Sequence, residues 1–425
     1  MNVFITTYGT RGDVQPYVAL GQGLQAAGHH VTLATSERFR GFVEEHGLAY
    51  GYMNDGLLAL LDTEQGREIL ENTDSMLAVV RRTLATRKQL APVQAALLEE
   101  GWASARKSDP DVILFHPKAY GGPHFAEKLG VPAIAALVVP MLLPTAEHPH
   151  IGFPRLRLGG WYNRATYRAV RVLMALSAGR HVRAWRAANN LPPQRRLDIF
   201  RTAGGAPIPV LHGFSRHVVP VPSDWPTIAT TTGYWFLAQD EHEGVSTAIE
   251  AFLEAGPPPA YIGFGSMTGG FTEDLERFII DALREAGVRG IVATGRGGAP
   301  REAIPGTVLL IDQVPHDRLF PRMAAVVHHG GAGTTAAALR AGTPAVTVPF
   351  FGDQFYWGHR VHALGAGCRP IPWKKLTVAA MAAAIREATS DPAMKRRADE
   401  LGGILGQEDG VGNAVAAVER IVQGG

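Results

Sequence analysis

Residues 9–16, GTRGDVQP, close the first apolar run of the chain and pose its first chemical question. Gly9 and Gly12, placed straight after a strand-like run, suit a loop that lets its backbone approach a phosphate. Asp13 puts a negative charge where such a loop should carry none. A helix N-cap is one reading of that carboxylate, because Asp accepts well from the N–H groups of a first helical turn.

A second stretch, AAVVHHGGAGTTAAALRAGTPAVTVPFFGDQ over residues 324–354, offers what the first lacks. A strand ending at His329 leads into Gly330, Gly331 and Gly333, and Thr334 and Thr335 open a helix that Gly342 stops. Small residues let backbone N–H groups come close to a ligand, and a helix start presents unpaired donors and a positive dipole end to an anion. The segment lacks the Lys-Ser/Thr ending of a P-loop and the GxGxxG spacing of a dinucleotide fingerprint. A tight turn that merely packs a helix on a strand is the plainer reading.

Neighbouring residues weigh against it. Asp353 and Gln354 follow the strand 345–349, which places them at the same sheet edge as the glycine turn. A carboxylate beside an amide can accept from and donate to vicinal hydroxyls, as sugar recognition requires. Ser266 ends the GFGS stretch of another strand and can donate to a phosphate. Val314, extended because Pro315 follows, leaves main-chain groups to pair with a base edge. Together these loops describe a nucleotide-sugar site. His328 and His329 are consecutive on a strand and point opposite ways, so they do not chelate a metal together, and His328 reads as a packed residue of the sheet.

Elements that could position these groups alternate along the chain. Strands are expected at 2–8, 30–36, 111–117 and 132–139, then at 261–266, 290–295, 308–314, 324–329 and 345–349. Helix-length segments intervene, such as 273–286 and the apolar stripe of Val18, Leu20, Leu24 and Ala27 ended by Gly28. The pattern predicts an α/β chain of two Rossmann-like, doubly wound domains facing across a cleft. Ligands in such sheets bind beyond the carboxyl ends of the strands. Expected boundaries are an N-terminal Rossmann-like domain at 1–216, an extended interdomain linker at 217–235, a C-terminal Rossmann-like domain with the nucleotide-sugar site at 236–405 and a closing helix at 406–425.

Composition narrows the class. Of 425 residues, 46% are hydrophobic, which supports sizeable cores, and the net charge of +2 implies no general attraction to nucleic acid. One cysteine, Cys368, excludes an intramolecular disulfide framework and fits a reducing cytosol. No signal peptide or membrane-spanning run is read, so a cytoplasmic protein is expected. Residues 155–201 hold eleven arginines and one acid, Asp198, a net charge of +10. An exposed helical pair with solvated arginines is the plain reading, and a docking surface for an anionic membrane or acceptor the sharper one.

The run HHGGAGTTAAALRAGTPAVTVPFFGDQFYWGHRVHALG resembles the donor-binding signature of the inverting, GT-B fold UDP-glycosyltransferases of family 1. GTRGDVQPYVALGQGLQAAGH, TGYW, GFGSM and DQVPHDRLFPR resemble the branch of sterol glucosyltransferases and bacterial antibiotic glycosyltransferases, in the expected order. That resemblance implies diphosphate contacts from His329 and Ser266, helix-start donors at Gly331, Gly333 and Thr334, base contact at Val314, and sugar contacts at Asp353 and Gln354. Thr10, Arg11 and Gly12 would approach the diphosphate from the other domain.

Many relatives carry a histidine base in the first loop. This chain carries Asp13, as the sterol and antibiotic branch does, and Asp13 would accept the proton of the attacking hydroxyl. Partial burial would raise its pKa and nearby Arg11 would lower it. The leaving diphosphate would be met by the helix start, His329 and Arg11, with no metal and no cofactor beyond the sugar nucleotide. UDP-glucose is the expected donor, with a dTDP-deoxysugar as the alternative. A lipophilic alcohol such as a sterol, polyketide or glycolipid is the expected acceptor. A nucleotide-sugar epimerase of the same fold and a catalytically dead sugar-nucleotide binder are the rival readings.

Overall fold

The structure, a computed structural model, describes residues 1–63, 76–194, 198–237, 244–265, 272–295, 299–312 and 314–424. The chain divides into two compact units, Met1–Ala238 with Asp409–Gly425, and Gln239–Glu408.

Seven short strands build the first sheet: β1 Asn2–Thr6, β2 His30–Ser36, β3 Ala49–Met53, β4 Val112–Phe115, β5 Ala133–Leu137, β6 Val210–His212 and β7 Ala229–Thr231. They pair in the order β3-β2-β1-β4-β5-β6-β7, parallel throughout. Alternate side chains supply two separate cores, as a strand's period of two demands. Val3, Ile5, Val112 and Leu114 pack with Leu20 and Leu24 of the helix Arg11–Ala26 and with Ala414 and Val418 of the helix Gly410–Gln423. Phe4 and Ile113 pack on the opposite face with Leu97, Leu98, Phe125 and Trp185.

The second unit has β8 Ala260–Gly263, β9 Gly290–Ala293, β10 Arg301–Ile304, β11 Val308–Ile311, β12 Ala325–His328 and β13 Ala345–Thr347. Their order is β10-β11-β9-β8-β12-β13, parallel except for β10 at the edge. The helix Glu273–Ala286 falls where its sequence signals put it: the Thr272 hydroxyl accepts from Leu275 N–H, acids fill the first turn, and Gly287 ends it at φ 68°. Its Leu275, Ile279 and Leu283 join Ile262, Val292 and Val327 in the core.

Three expectations change. The first helix starts at Arg11, so most of GTRGDVQP is the opening of a helix and not a loop before one. The linker expected at 217–235 belongs to the first unit. Within it, β7 is the edge strand, and Trp235 is buried against Tyr17 with its indole N–H donating to Thr232 Oγ1 at 2.9 Å. The arginine-rich segment is not a helical pair in the described residues but one 29-residue helix, Gly160–Ala188, and its Arg186 is only 1% exposed.

The helix Gly410–Gln423 returns to the first unit. Asn413 Nδ2 donates to Thr232 O at 3.0 Å, and Gly410 lies so close to Tyr234 that a Cβ there would sit 2.2 Å from its carbonyl oxygen. Among the described residues, no helix is long and apolar enough to cross a membrane.

Candidate active site

Strand order locates the site in each unit. From β1 the first sheet grows through β2 and β3 on one side and through β4 to β7 on the other. The loops leaving β1 and β4 therefore diverge at the switch point, where open α/β sheets bind ligands. Those loops bring together Thr10, Asp13, His116 and Lys118.

Asp13 is the third residue of its helix. Its Oδ2 accepts the Thr10 N–H at 2.9 Å, closing the first turn. Lys118 Nζ contacts both carboxylate oxygens, at 2.7 and 2.8 Å, and His116 Nε2 lies 3.7 Å from Oδ1. Gly9 is required here: at φ 147°, a Cβ would lie 2.1 Å from Asp13 Oδ2. The Asp13 side chain is 13% exposed. Burial raises its pKa, but the Lys118 ammonium, the His116 ring and the hydrogen bonds from Lys118 and Thr10 outweigh it, and the carboxyl ends below its ordinary value. His116 Nδ1 accepts the Lys118 backbone N–H at 3.1 Å, so in the neutral ring Nε2 carries the hydrogen that points toward Asp13. Burial pushes the His116 pKa down to about 4, keeping the ring neutral near pH 7.

A cavity of about 410 Å³ opens beside this cluster, with Gly9, Thr10, Asp13 and Lys118 in its wall. Leu57, Leu58, Tyr120, Met174, Ala178, Val182 and Ile199 make most of the rest apolar. The long helix Gly160–Ala188 thus supplies one side of the pocket. Its size and lining suit a mainly apolar ligand with a few placed polar groups.

The second sheet grows from β8 through β9 and β11 on one side and through β12 and β13 on the other, so its switch point lies between β8 and β12. There His329 follows β12, and a Cβ on Gly265 after β8 would meet its ring at 3.8 Å. Gly330 at φ 86° is held against the main chain of Gln354, where a Cβ would sit 2.8 Å from Gln354 O. Gly331 is the N-cap of the helix Ala332–Arg340, under the His329 ring. The first-turn N–H groups of Ala332, Gly333 and Thr334 lack intrahelical partners by the geometry of any helix start. Among the described residues outside its own helix turn, no atom lies within 4 Å of where a Gly333 Cβ would be. Burial, with His316 nearby, pushes the His329 pKa down to about 4, and its Nδ1 is buried with no hydrogen-bond partner among the described residues.

Comparison with known proteins finds matches in both units. Residues 3–146 match the glycosyltransferase family 28 N-terminal domain, and residues 280–404 match the C-terminal domain of erythromycin biosynthesis protein CIII-like proteins. The sterol 3-beta-glucosyltransferase UGT80B1 of Arabidopsis thaliana is 37% identical over 429 residues, 99% of this chain and 68% of that protein. This chain belongs to the GT-B glycosyltransferases that include the sterol glucosyltransferases. A sterol 3-beta-glucosyltransferase of Neosartorya fischeri is 36% identical over 433 residues, but the chain spans only 29% of its length. The fold agrees with the glycotransferase of kitacinnamycin, at TM-score 0.69, 21% identity and 98% of both chains. It agrees as well with the glycosyltransferase VinC in complex with dTDP, at TM-score 0.67, 19% identity and 100% of both chains.

In this glycosyltransferase, Thr10 and Asp13 fall at one switch point and His329, Gly331, Gly333 and Thr334 at the other. Val314 lies in the turn after β11, and Asp353 and Gln354 follow β13 against the Gly330 turn. Gln354 is 4% exposed, and its Oε1 accepts from the N–H groups of Phe350 at 2.8 Å and Phe351 at 3.3 Å, which fixes the turn. Asp353 Oδ2 accepts from the Trp357 indole at 3.0 Å. Ser266 lies outside the described residues. His328 is fully buried, and its Nδ1 accepts the Gly330 N–H at 3.0 Å, a structural role.

Arg11 is not the cation on Asp13. It stacks 4.5 Å over Phe42 and donates to Gln15 Oε1 at 3.0 Å. Gly12 is exposed beside it. The cation is Lys118, which sequence reasoning missed because 111–117 reads as one strand. The strand stops at Phe115, and a switch-point loop begins at His116. A search of the loop after the strand next to β1 would have found it.

Proposed function

We propose that this glycosyltransferase moves a hexose, glucose by preference, from a nucleoside diphosphate to the hydroxyl of a lipophilic acceptor, with inversion at the anomeric carbon. The class of sterols, polyketides and glycolipids supplies the acceptor. The observation that carries this reading is Asp13 in the wall of a mainly apolar cavity. UDP is the proposed carrier, bound at the second unit's switch point. The N–H groups of Gly333 and Thr334 and the ring of His329 receive the diphosphate, the main chain at Val314 meets the base, and Asp353 with Gln354 meets the sugar. No cofactor enters the reaction beyond the sugar nucleotide.

The attacking hydroxyl takes the place of one Asp13 contact, most simply that of Lys118, whose side chain is 55% exposed and can swing away. The Thr10 N–H keeps the carboxylate oriented, with the His116 ring 3.7 Å away. A carboxylate with a lowered pKa is a weak base, so it removes the proton late, once the forming C–O bond has made the hydroxyl acidic. The anion beside the sugar also favours an oxocarbenium-like transition state.

The test is a matrix of sugar nucleotides against hydrophobic alcohols, read by mass spectrometry. A glycosylated acceptor with release of the nucleoside diphosphate is expected. Conversion of the sugar nucleotide without any acceptor would establish the epimerase instead, and binding of UDP with no turnover on any pair would leave only a binder.

The arginine-rich face is proposed to rest on an anionic bilayer. Leu156, Leu158 and Trp161 are 50%, 47% and 70% exposed and interleave with exposed Arg155, Arg157, Arg164 and Arg168. Aromatic and aliphatic side chains between cations fit the interface of a charged membrane. Flotation should recover the protein with phosphatidylserine vesicles but not with phosphatidylcholine alone, and L158E with Trp161→Glu should abolish it. Equal recovery on both lipids would remove the charge-directed contact.

A further inference from the structure

Among the described residues, two residues that line the acceptor cavity, His124 and Arg171, each have a buried side-chain nitrogen with no hydrogen-bond partner. His124, in the helix Gly122–Leu129, lines the cavity and is 4% exposed. Its Nδ1 lies 3.1 Å from Arg186 Nη1. The Arg186 guanidinium has every N–H engaged. Nε donates to Pro192 O at 3.1 Å, Nη2 to Pro192 O at 2.6 Å and Glu127 Oε1 at 2.9 Å, and Nη1 to Glu127 Oε2 at 2.6 Å and to His124. Because a guanidinium can only donate, His124 Nδ1 must accept, and the ring hydrogen of neutral His124 sits on Nε2. Burial and Arg186 push the His124 pKa down to about 3, so the ring stays neutral.

That Nε2–H is buried and has no hydrogen-bond partner among the described residues. Arg171 Nε is the other buried side-chain atom of a lining residue without a partner among the described residues, but that guanidinium is already held through Nη1. Tyr120 donates to Gln94 O, Ser177 to Met174 O, Arg171 to Asp198 and Lys118 to Asp13. A buried donor left unmade is costly unless a ligand completes it.

We infer that His124 is a specificity-determining residue whose Nε2–H donates to a second, uncharged oxygen of the bound acceptor, while Asp13 receives the reacting hydroxyl. The preferred acceptor is therefore an apolar alcohol carrying a ketone, ether or further hydroxyl, and not a pure hydrocarbon alcohol. This rests on the reading of the cavity as the acceptor site.

The test is equilibrium binding without sugar donor, followed by tryptophan fluorescence. The probes are a 3-hydroxysteroid and a series of its derivatives, each with one ketone at a different ring position. At least one ketone should bind the unaltered protein about tenfold more tightly than the parent, the usual scale for one completed buried hydrogen bond. H124N keeps an oxygen for Arg186 but has no donor at the Nε2 position, and the gain should vanish. His124→Gln restores a donor near that position, and the gain should return even if the Arg186 contact weakens the fold. A gain that persists in H124N, or parent and ketones that bind alike throughout, would overturn the role of His124 alone. Failure of every steroid to bind would overturn the acceptor reading and the assignment with it.

Discussion

Replacing Asp13 with asparagine removes the charge but keeps an oxygen for the Thr10 N–H, so the helix start should survive. Turnover should fall about a hundredfold or more, the usual scale for losing a general base, while calorimetry finds UDP affinity unchanged. Turnover close to the unaltered enzyme would reduce Asp13 to the closing residue of a helix turn. Lys118→Met separates the two forces on the same carboxyl. With the ammonium gone, burial dominates and the Asp13 pKa rises, so the acid limb of kcat/KM should move to higher pH. An unmoved limb would mean that another group sets it. Asp13 was legible in the sequence because an acid among glycines conflicts with its setting. Lys118 and His116 were not, since their contact with Asp13 spans more than a hundred residues of chain and only strand order brings them together.

At the level of elements, the glycine turn after β12 separates folding from binding. Gly330→Ala forces a side chain onto φ 86° and onto the Gln354 carbonyl, so it should lower the melting temperature as well as UDP affinity. Gly333→Ala meets no atom of the described residues outside its own helix turn and should not lower the melting temperature. If the Gly333 N–H lies against the diphosphate, calorimetry should still show weaker UDP binding in Gly333→Ala, and unchanged affinity would take that N–H out of the site. The motif's strand, turn and helix were readable because apolar run, glycines and alanine-rich helix follow one another without ambiguity. Strands β3, β6, β7 and the edge strand β10 were not read. AYGYM alternates weakly, and VLH and ATT are three-residue pieces whose strand character comes from neighbours in the sheet.

Across the whole molecule, buried histidines should govern acid stability. Burial holds His116 and His329 near a pKa of about 4, His150 at about 4, and His124 and His212 at about 3, with His328 well below its usual value. Unfolded histidines titrate near 6.5. Between about pH 6.5 and about pH 4 the unfolded chain therefore binds more protons, and stability should drop as pH falls through that window. Asp13, with its lowered pKa, adds a loss only below the ordinary carboxylate range near 3.9. Thermal melts should decline from about pH 6.5 downward, and a flat profile to pH 5 would show that these rings are not kept neutral. Two α/β units were readable from alternating runs. That the TGYW segment and the last helix belong to the first unit was not, because both are completed by packing on a core whose residues lie far away in the sequence.

That returning helix makes the second unit an insertion. Residues 239–408 interrupt a unit whose last piece is 409–425. During synthesis the seat formed by Thr232, Tyr234 and Trp235 stays uncovered until the whole inserted unit has left the ribosome, so the half that emerges first is the half that is completed last. The second unit is one uninterrupted segment and can be excised as such. The first must be rejoined across a designed loop before it can be studied alone.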